Sequence, residues 1–256
     1  MKSFIAFLKK EMIENVRNER FLFVAVIFVA MGIMNPALAK LTPLLMELLS
    51  EELAETGMTL TKIEVDAMTS WGQFYKNIPM ALIAFVLLFG NTLTKEYESG
   101  NLILIITKGV SRYKILVVKS AIMLLSWTVG YWISYAITYV CNAYFWDNGI
   151  ASNLLLSAGN WWLFGIFVIS LTVLFSVINK NYVFVLLETG GVVVFFYLVS
   201  LIPKCARFLP TALMNPSQLL VGAQGLEYAL PSIIIVSAVS IAMLIASIPI
   251  FNKKSF

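Results

Sequence analysis

The chain has 256 residues, of which 60% are hydrophobic and 12% charged, with 18 Phe, 10 Tyr and 6 Trp. Its mean hydropathy of +0.87 excludes a soluble globular domain, and the absence of histidine excludes His-based triads, His-metal sites and zincin motifs. The net charge of +4 reads as a topology signal, not as a nucleic-acid footprint, because the basic residues flank apolar runs instead of clustering on a folded domain.

Residues 1–20 open the chain with an amphipathic stretch. In FIAFLKKEMIENV, Ile5, Leu8, Met12 and Val16 recur at helical spacing while Lys9, Lys10, Glu11 and Glu14 occupy the rest of the circumference. The segment is too polar to insert, so it is predicted either as a helix lying on the membrane surface or as a solvated extension of the first span. Six apolar blocks follow, at 21–39, 78–94, 115–140, 161–178, 182–201 and 230–251. Each matches the roughly 17–25 residues that a spanning helix needs, and none shows the weak alternation of a transmembrane barrel strand. The predicted fold is therefore an all-α polytopic membrane protein, one transmembrane domain over 1–256. The Ala37-x-Ala39 pattern in NPALAK resembles a signal-peptide cleavage site, but the preceding region is long and carries Glu11, Glu14 and Glu19, which favours a retained first span.

The loops carry their own signals. With the N-terminus in the cytoplasm, thirteen of the 18 Lys and Arg residues fall on the cytoplasmic side and five outside. That bias predicts a plasma-membrane protein, bacterial in character, with both termini cytoplasmic. The outer stretch 41–77 is acidic and shows leucines at helix period (Leu41, Leu44, Leu45, Leu48, Leu49, Leu53), a Gly57 stop and a Thr61-x-x-Glu64 capping box, which together predict two amphipathic outer helices. In the outer segment 202–229, Pro203, Pro210 and Pro216 break the chain, with Asn215 as cap, Pro216 at the first helical position and Gly222 as stop of a short helix. That helix either dips back into the membrane or forms a surface turn. Cys141 and Cys205 have no metal-ligand spacing and read as free thiols near the outer boundary, and no G-x-x-x-x-G-K-[ST] is present to bind ATP.

The segment KEYESGNLILIITKGVSRYK, 95–114, places charges of both signs between two apolar runs. The second span runs into Lys95, Glu96, Glu98 and Gly100, a short apolar helix follows, and after a Gly109 turn Ser111 caps a new helix leading through Arg112 and Lys119. This pattern resembles the cytoplasmic signature of type-2 ATP-binding-cassette permeases, in which an acidic residue, a Gly, an apolar helix and a Ser-Arg turn form the coupling helix that docks on the ATPase. The matching positions are Glu96 or Glu98, Gly100, residues 102–106, Ser111, Arg112 and Lys119, with Gly109 where the family often has Pro. The N-terminal interfacial helix, the six spans, the cytoplasmic termini and the Pro-broken segment before the last span also resemble that family over nearly the whole chain.

The resemblance implies a transport subunit, not an enzyme. It implies two separate ATPase subunits as partners, which would carry the ATP and Mg²⁺, and a second permease copy or a similar permease in the bilayer. This chain itself would hold no cofactor or metal. The family includes exporters of antimicrobial and toxin peptides, among them phenol-soluble modulin exporters. A stripe of Trp127, Tyr131, Tyr135 and Tyr139 every four residues, with Thr128 and Thr138 nearby, reads either as a path for amphipathic cargo or as tight helix packing. Glu188, the acid placed inside a span, reads either as a path residue or as a paired structural group, and Gly190 and Gly191 beside it would admit a close helix. Peptide export is the reading these features favour, with self-immunity or lipid or sodium efflux as alternatives. A stand-alone channel or carrier and a membrane enzyme fit less well, since a single intramembrane acid, Glu188, is found and neither inverted repeats nor a catalytic set is visible.

Overall fold

The structure, a computed structural model, describes residues 2–54 and 65–254. Among these residues there are eleven α-helices and no strand. In chain order they are α1 (Lys2–Arg17), α2 (Arg20–Ala54), α3 (Ala67–Phe89), α4 (Thr94–Glu98), α5 (Asn101–Thr107), α6 (Arg112–Phe145), α7 (Leu154–Ile178), α8 (Tyr182–Val199), α9 (Pro203–Ala206), α10 (Ser217–Leu220) and α11 (Leu226–Lys253), with 3-10 turns at Asn148–Ile150 and Pro210–Met214. Six helices among the described residues are long and apolar enough to cross a membrane: α2, α3 continued by α4, α6, α7, α8 and α11. The six predicted spans are all present. An even number of crossings puts α1 and the C-terminal end on one face, called here the terminal face.

Several helices run further than the apolar blocks. α2 spans 35 residues, about 52 Å at ~1.5 Å per residue, well beyond the ~30 Å of a hydrocarbon core. The leucine-periodic stretch from Leu41 is therefore the far end of α2 and not a separate helix. α3 begins at Ala67, where Asp66 accepts hydrogen bonds from the Thr69 amide at 2.9 Å and the Thr69 hydroxyl at 3.0 Å. The predicted Gly57 stop and Thr61–Glu64 capping box lie outside the described residues. At the far face, α10 starts one residue later than predicted, with Pro216 at the cap, and Gly222 takes the left-handed conformation (φ +73°) that ends it.

Proline inside α2 and α11 shows how this fold keeps its backbone satisfied. Proline has no N–H, so it leaves the carbonyl four residues earlier without its helical donor. Pro36 frees the Gly32 carbonyl, which instead accepts the Thr138 hydroxyl of α6 at 2.9 Å. Pro231 frees the Glu227 carbonyl, and Arg207 donates to it at 2.8 Å. A hydrogen bond from the Asn77 amide to the Asn35 side-chain carbonyl at 2.9 Å joins α3 to α2. These cross-links, each from a side chain to a group that lipid could not satisfy, hold α2 against α3 and α6.

α7 is the most buried span and packs on α6 through paired indoles. Trp127 donates to the Trp162 carbonyl at 3.1 Å while Trp162 donates to the Thr128 hydroxyl at 3.1 Å. The approach depends on Gly165, because a Cβ there would overlap the Trp127 ring. α8 is the opposite case. It lies at the edge, with Phe184, Leu187, Val194 and Phe195 all more than half exposed, so lipid or another protein must cover it.

Trp127 is fully buried between Phe28, Phe85 and Gly165 and has no room to yield. Gly165→Ala is expected to cost about 1–3 kcal/mol through overpacking, seen as a lowered thermal unfolding midpoint of the purified protein. Gly72→Ala on α3, which meets open space, should hold the midpoint or raise it slightly.

Candidate functional site

The stretch between the second and third spans folds as a compact unit. After the turn that follows α3, α4 runs five residues, α5 seven, and both turns around α5 use a left-handed glycine. Gly100 (φ +68°) caps the start of α5, and Gly109 (φ +84°) closes its end, its amide bonding the Ile106 carbonyl at 2.9 Å. Residues with a Cβ rarely adopt these angles, so the two glycines set the length of α5. α5 buries Leu102 and leaves Ile103 and Leu104 51% and 60% exposed, an apolar tip at the terminal face.

Under α5 lies a buried ionic cluster. The Lys119 ammonium of α6 is 4% exposed and sits 2.9 Å from Glu11 Oε2 of α1 and 2.9 Å from Glu96 Oε1 of α4. Glu11 and Glu96 are themselves only 2% and 5% exposed. Lys10 pairs with the other Glu11 oxygen at 2.9 Å, with Glu14, and with Glu96 at 3.6 Å. Next to the cluster Arg20 of α2 donates to the Thr92 hydroxyl at 2.9 Å and the Asn91 side-chain oxygen at 2.6 Å. Four elements that are far apart in sequence meet at this point: α1, the start of α2, α4 and α6.

Titration at the rim follows from this geometry. Burial works to lower the Lys10 pKa, but hydrogen bonds to Glu14 and Glu11 and the attraction of Glu11 and Glu96 outweigh it and raise the ammonium above its ordinary value. Burial likewise works to raise the Glu14 carboxyl, and Lys10 overrides it and holds Glu14 below the usual range. A lowered carboxylate contributes stability that is lost as pH falls through its folded pKa, and a raised lysine contributes stability that is lost as pH rises through its folded pKa. The Lys10–Glu14 pair therefore stays charged across the neutral range. Carboxylate oxygens of Glu11, Glu14 and Glu96 lie within 4.8 Å of one another, a spacing that a cation could use. Here the two lysine ammoniums already supply the countercharge, and the cluster is structural in its chemistry.

The predicted coupling residues separate into different environments. Glu98 is exposed and Glu96 is buried in the cluster. Gly100 is the left-handed cap of α5, and Ser111 takes the extended cap position of α6 without a side-chain hydrogen bond. Arg112 donates to the backbone carbonyls of Asn252 at 3.1 Å and Lys254. Lys254 in turn donates to the carbonyls of Val177, Ile178 and Asn179 at the end of α7 and stacks 4.3 Å over the Tyr97 ring. Arg112 thus ties the start of α6 to the C-terminal end of α11.

The aromatic stripe also divides. Trp127, Tyr131 and Tyr135 are buried in the chain's own core, with the Tyr131 hydroxyl bonded to the Ala158 carbonyl at 2.8 Å and the Tyr135 ring 5.1 Å from Trp71. Tyr139 is 44% exposed. With Trp132 and Tyr135 it lines an open, mainly apolar cavity of ≈ 800 Å³ at the far half of α6. Glu188, half-buried on α8, accepts a hydrogen bond from the Asn179 amide at 2.5 Å and lies away from that cavity's lining. Both cysteines are free, Cys141 half-buried and Cys205 exposed.

Sequence reading missed the inward role of Glu11. Of the predicted stripe of α1, Ile5, Met12 and Val16 point outward, 45–62% exposed, while Leu8 packs partly buried against the core. The face turned to the protein is Phe7, Glu11 and Asn15, at i, i+4 and i+8. The available signal was Lys119, a charge inside a predicted span, which calls for a partner.

The profile of the ABC-2 family transporter protein matches residues 5–243. The chain belongs to the ABC-2 family of transporter permeases, the membrane transport subunits of ATP-binding-cassette systems, which normally work with ATPase subunits. No curated protein and no solved structure matches the chain.

Removing one member of a buried ion pair strands the other charges, at a cost of about 3–5 kcal/mol. Lys119→Met is therefore expected to lower the yield and thermal stability of the folded permease sharply. Glu11→Gln, which keeps a polar partner, should cost less. Equal stability of Lys119→Met and wild type would contradict the cluster's structural weight.

Proposed function

We propose that this permease is the membrane part of an exporter in which ATPase subunits push on α5 and so move the spans. The observation that carries the reading is the join between α5 and α6. The exposed tip at Ile103 and Leu104 offers apolar surface to a partner in water, and Glu96, between that tip and the second span, is held to Lys119 inside α6. A load on α5 then reaches α6 and α1 through buried ionic contacts, which resist separation because each charge would be left unpaired. Glu98 and Lys108, both exposed, flank the apolar tip as the polar rim of the docking surface. Hydrolysis belongs to the partner, since this chain has no phosphate-binding glycine loop of its own.

The terminal face is cytoplasmic on this reading, supported by the thirteen-to-five bias of Lys and Arg. Two permease chains work together, with the uncovered face of α8 as the place of contact. Gly190 and Gly191 meet no atom within 4 Å where a Cβ would stand, so a second helix has room to approach closely. The cargo is an amphipathic molecule, most simply a hydrophobic peptide. The ≈ 800 Å³ cavity supports this, because Trp132, Tyr135 and Tyr139 give it rings with apolar faces and polar tips and Val140 and Leu155 complete an apolar wall.

Sign reversal at a docking rim places like charges together, whereas a solvated loop scarcely responds. Glu98→Lys with Lys108→Glu is expected to leave the permease folded while weakening co-purification with its ATPase at least about tenfold, ~1.4 kcal/mol. Leu104→Asp should have a similar effect through the apolar tip. Unchanged assembly, hydrolysis and transport in both variants would remove the docking role of α5.

A further inference from the structure

The far face holds a second cavity of a different kind. It has a volume of ≈ 180 Å³ and lies between α7, the end of α8, the start of α11 and the proline-broken segment before it. Its polar lining comes from Asn160, Thr211, Asn215, Gln224, Tyr228 and Ser232, and no charged side chain contributes. The walls are tied in place. Arg207 donates to the carbonyls of Glu227 and Tyr228, the Ser152 amide to the Leu220 carbonyl at 2.8 Å, and the Asn153 side chain to the carbonyls of Leu219 and Gln224.

Two lining groups are unsatisfied. The Thr211 hydroxyl is buried and has no hydrogen-bond partner among the described residues, and Asn160, 3% exposed, lines the cavity with an amide that no protein group among the described residues engages. A molecule that offers hydrogen bonds to these groups replaces water in the cavity and gains wherever its bonds are better placed than the water's. The chemistry of the lining selects the molecule. Amides and hydroxyls offer donors and acceptors side by side, which matches neighbouring hydroxyls that each donate and accept. An ionised group would lose its hydration here and meet no countercharge. The volume equals that of about six waters at ~30 Å³ each, enough for a single sugar ring. Leu201, Ile202, Phe208 and Leu226, neighbours in sequence of the lining residues, expose large apolar side chains, 51–69% accessible.

We infer that this cavity binds an uncharged, hydroxyl-rich group of about one hexose in size, carried on a lipid of the adjacent leaflet or free in solution. The site is independent of the ATPase reading, and binding to it needs no ATPase. The test uses the full-length permease in phosphatidylcholine nanodiscs, titrated with glucosyl diacylglycerol, with diacylglycerol lacking the sugar, and with free glucose. Saturable binding of the glucosyl lipid without binding of diacylglycerol is expected. Asn160→Leu and Thr211→Val should each weaken it about tenfold. Thr211→Val removes a hydroxyl that has no partner in the unliganded fold, so its thermal midpoint should hold or rise while binding falls, which separates a ligand site from a structural one. Binding of the lipid alone places the sugar on a membrane lipid, and comparable binding of glucose places it in solution. Binding of neither sugar form, equal binding of diacylglycerol, or unchanged affinity in both folded variants overturns the inference.

Discussion

A lysine ammonium removed from water costs several kcal/mol unless a countercharge compensates, and Lys119 is 4% exposed near one end of α6. Its position is therefore set by where Glu11 and Glu96 can be brought, and they come from an N-terminal surface helix and from the end of the second span. Much of the terminal face follows from that requirement. α1 must turn its Glu11 face inward, which leaves Ile5, Met12 and Val16 facing out. α4 must end beside α6, which obliges the chain to turn back within a few residues and makes the left-handed Gly100 and Gly109 necessary on either side of α5.

The same accounting explains the interior of the bundle. In lipid a free carbonyl has no water to bind, and proline produces such carbonyls. Thr138 and Arg207 answer the ones left by Pro36 and Pro231, so prolines that read as breaks become points where helices are fastened to one another. Where no such fastening exists the structure is loose. α8 keeps its large apolar side chains on the outside, where lipid or another chain must cover them. The ionic cluster near the ends of α1 and α6 and the paired indoles between α6 and α7 together make α6 the helix through which motion at α5 would pass to the rest.

The architecture was largely legible because lipid imposes a simple rule on sequence: a run of about 20 apolar residues must be a helix. The six spans follow from it. Boundaries were less legible. Residues 41–54 read as a separate amphipathic outer helix, yet α2 continues through them because a helix that has left the bilayer can extend into water without losing a hydrogen bond. The ionic cluster was the least visible feature. Glu11 and Lys119 stand 108 positions apart, and Glu11 sits among Lys9, Lys10 and Glu14, where it reads as one more solvated charge. The aromatic repeat on α6 was visible as a pattern, but periodicity alone does not tell a ring that packs against Trp71 from one that faces a cavity. Only Tyr139 is substantially exposed.

The central claim is that the Glu11–Lys119–Glu96 contacts transmit force between α1, α5 and α6, beyond holding them together. A charge swap tests it directly: Glu11→Lys, Lys119→Glu and the two combined, each reconstituted with the ATPase and read as transport per ATP hydrolysed. Either single reversal places like charges against each other and should uncouple hydrolysis from transport. The pairwise interaction should make the double reversal recover part of the coupling, with Glu96 and Lys10 then each left facing a like charge. If transport per ATP is unchanged in the folded single variants, or the double variant is no better than the worse single one, the cluster is a structural fastening only and the account of force transfer through α6 is wrong.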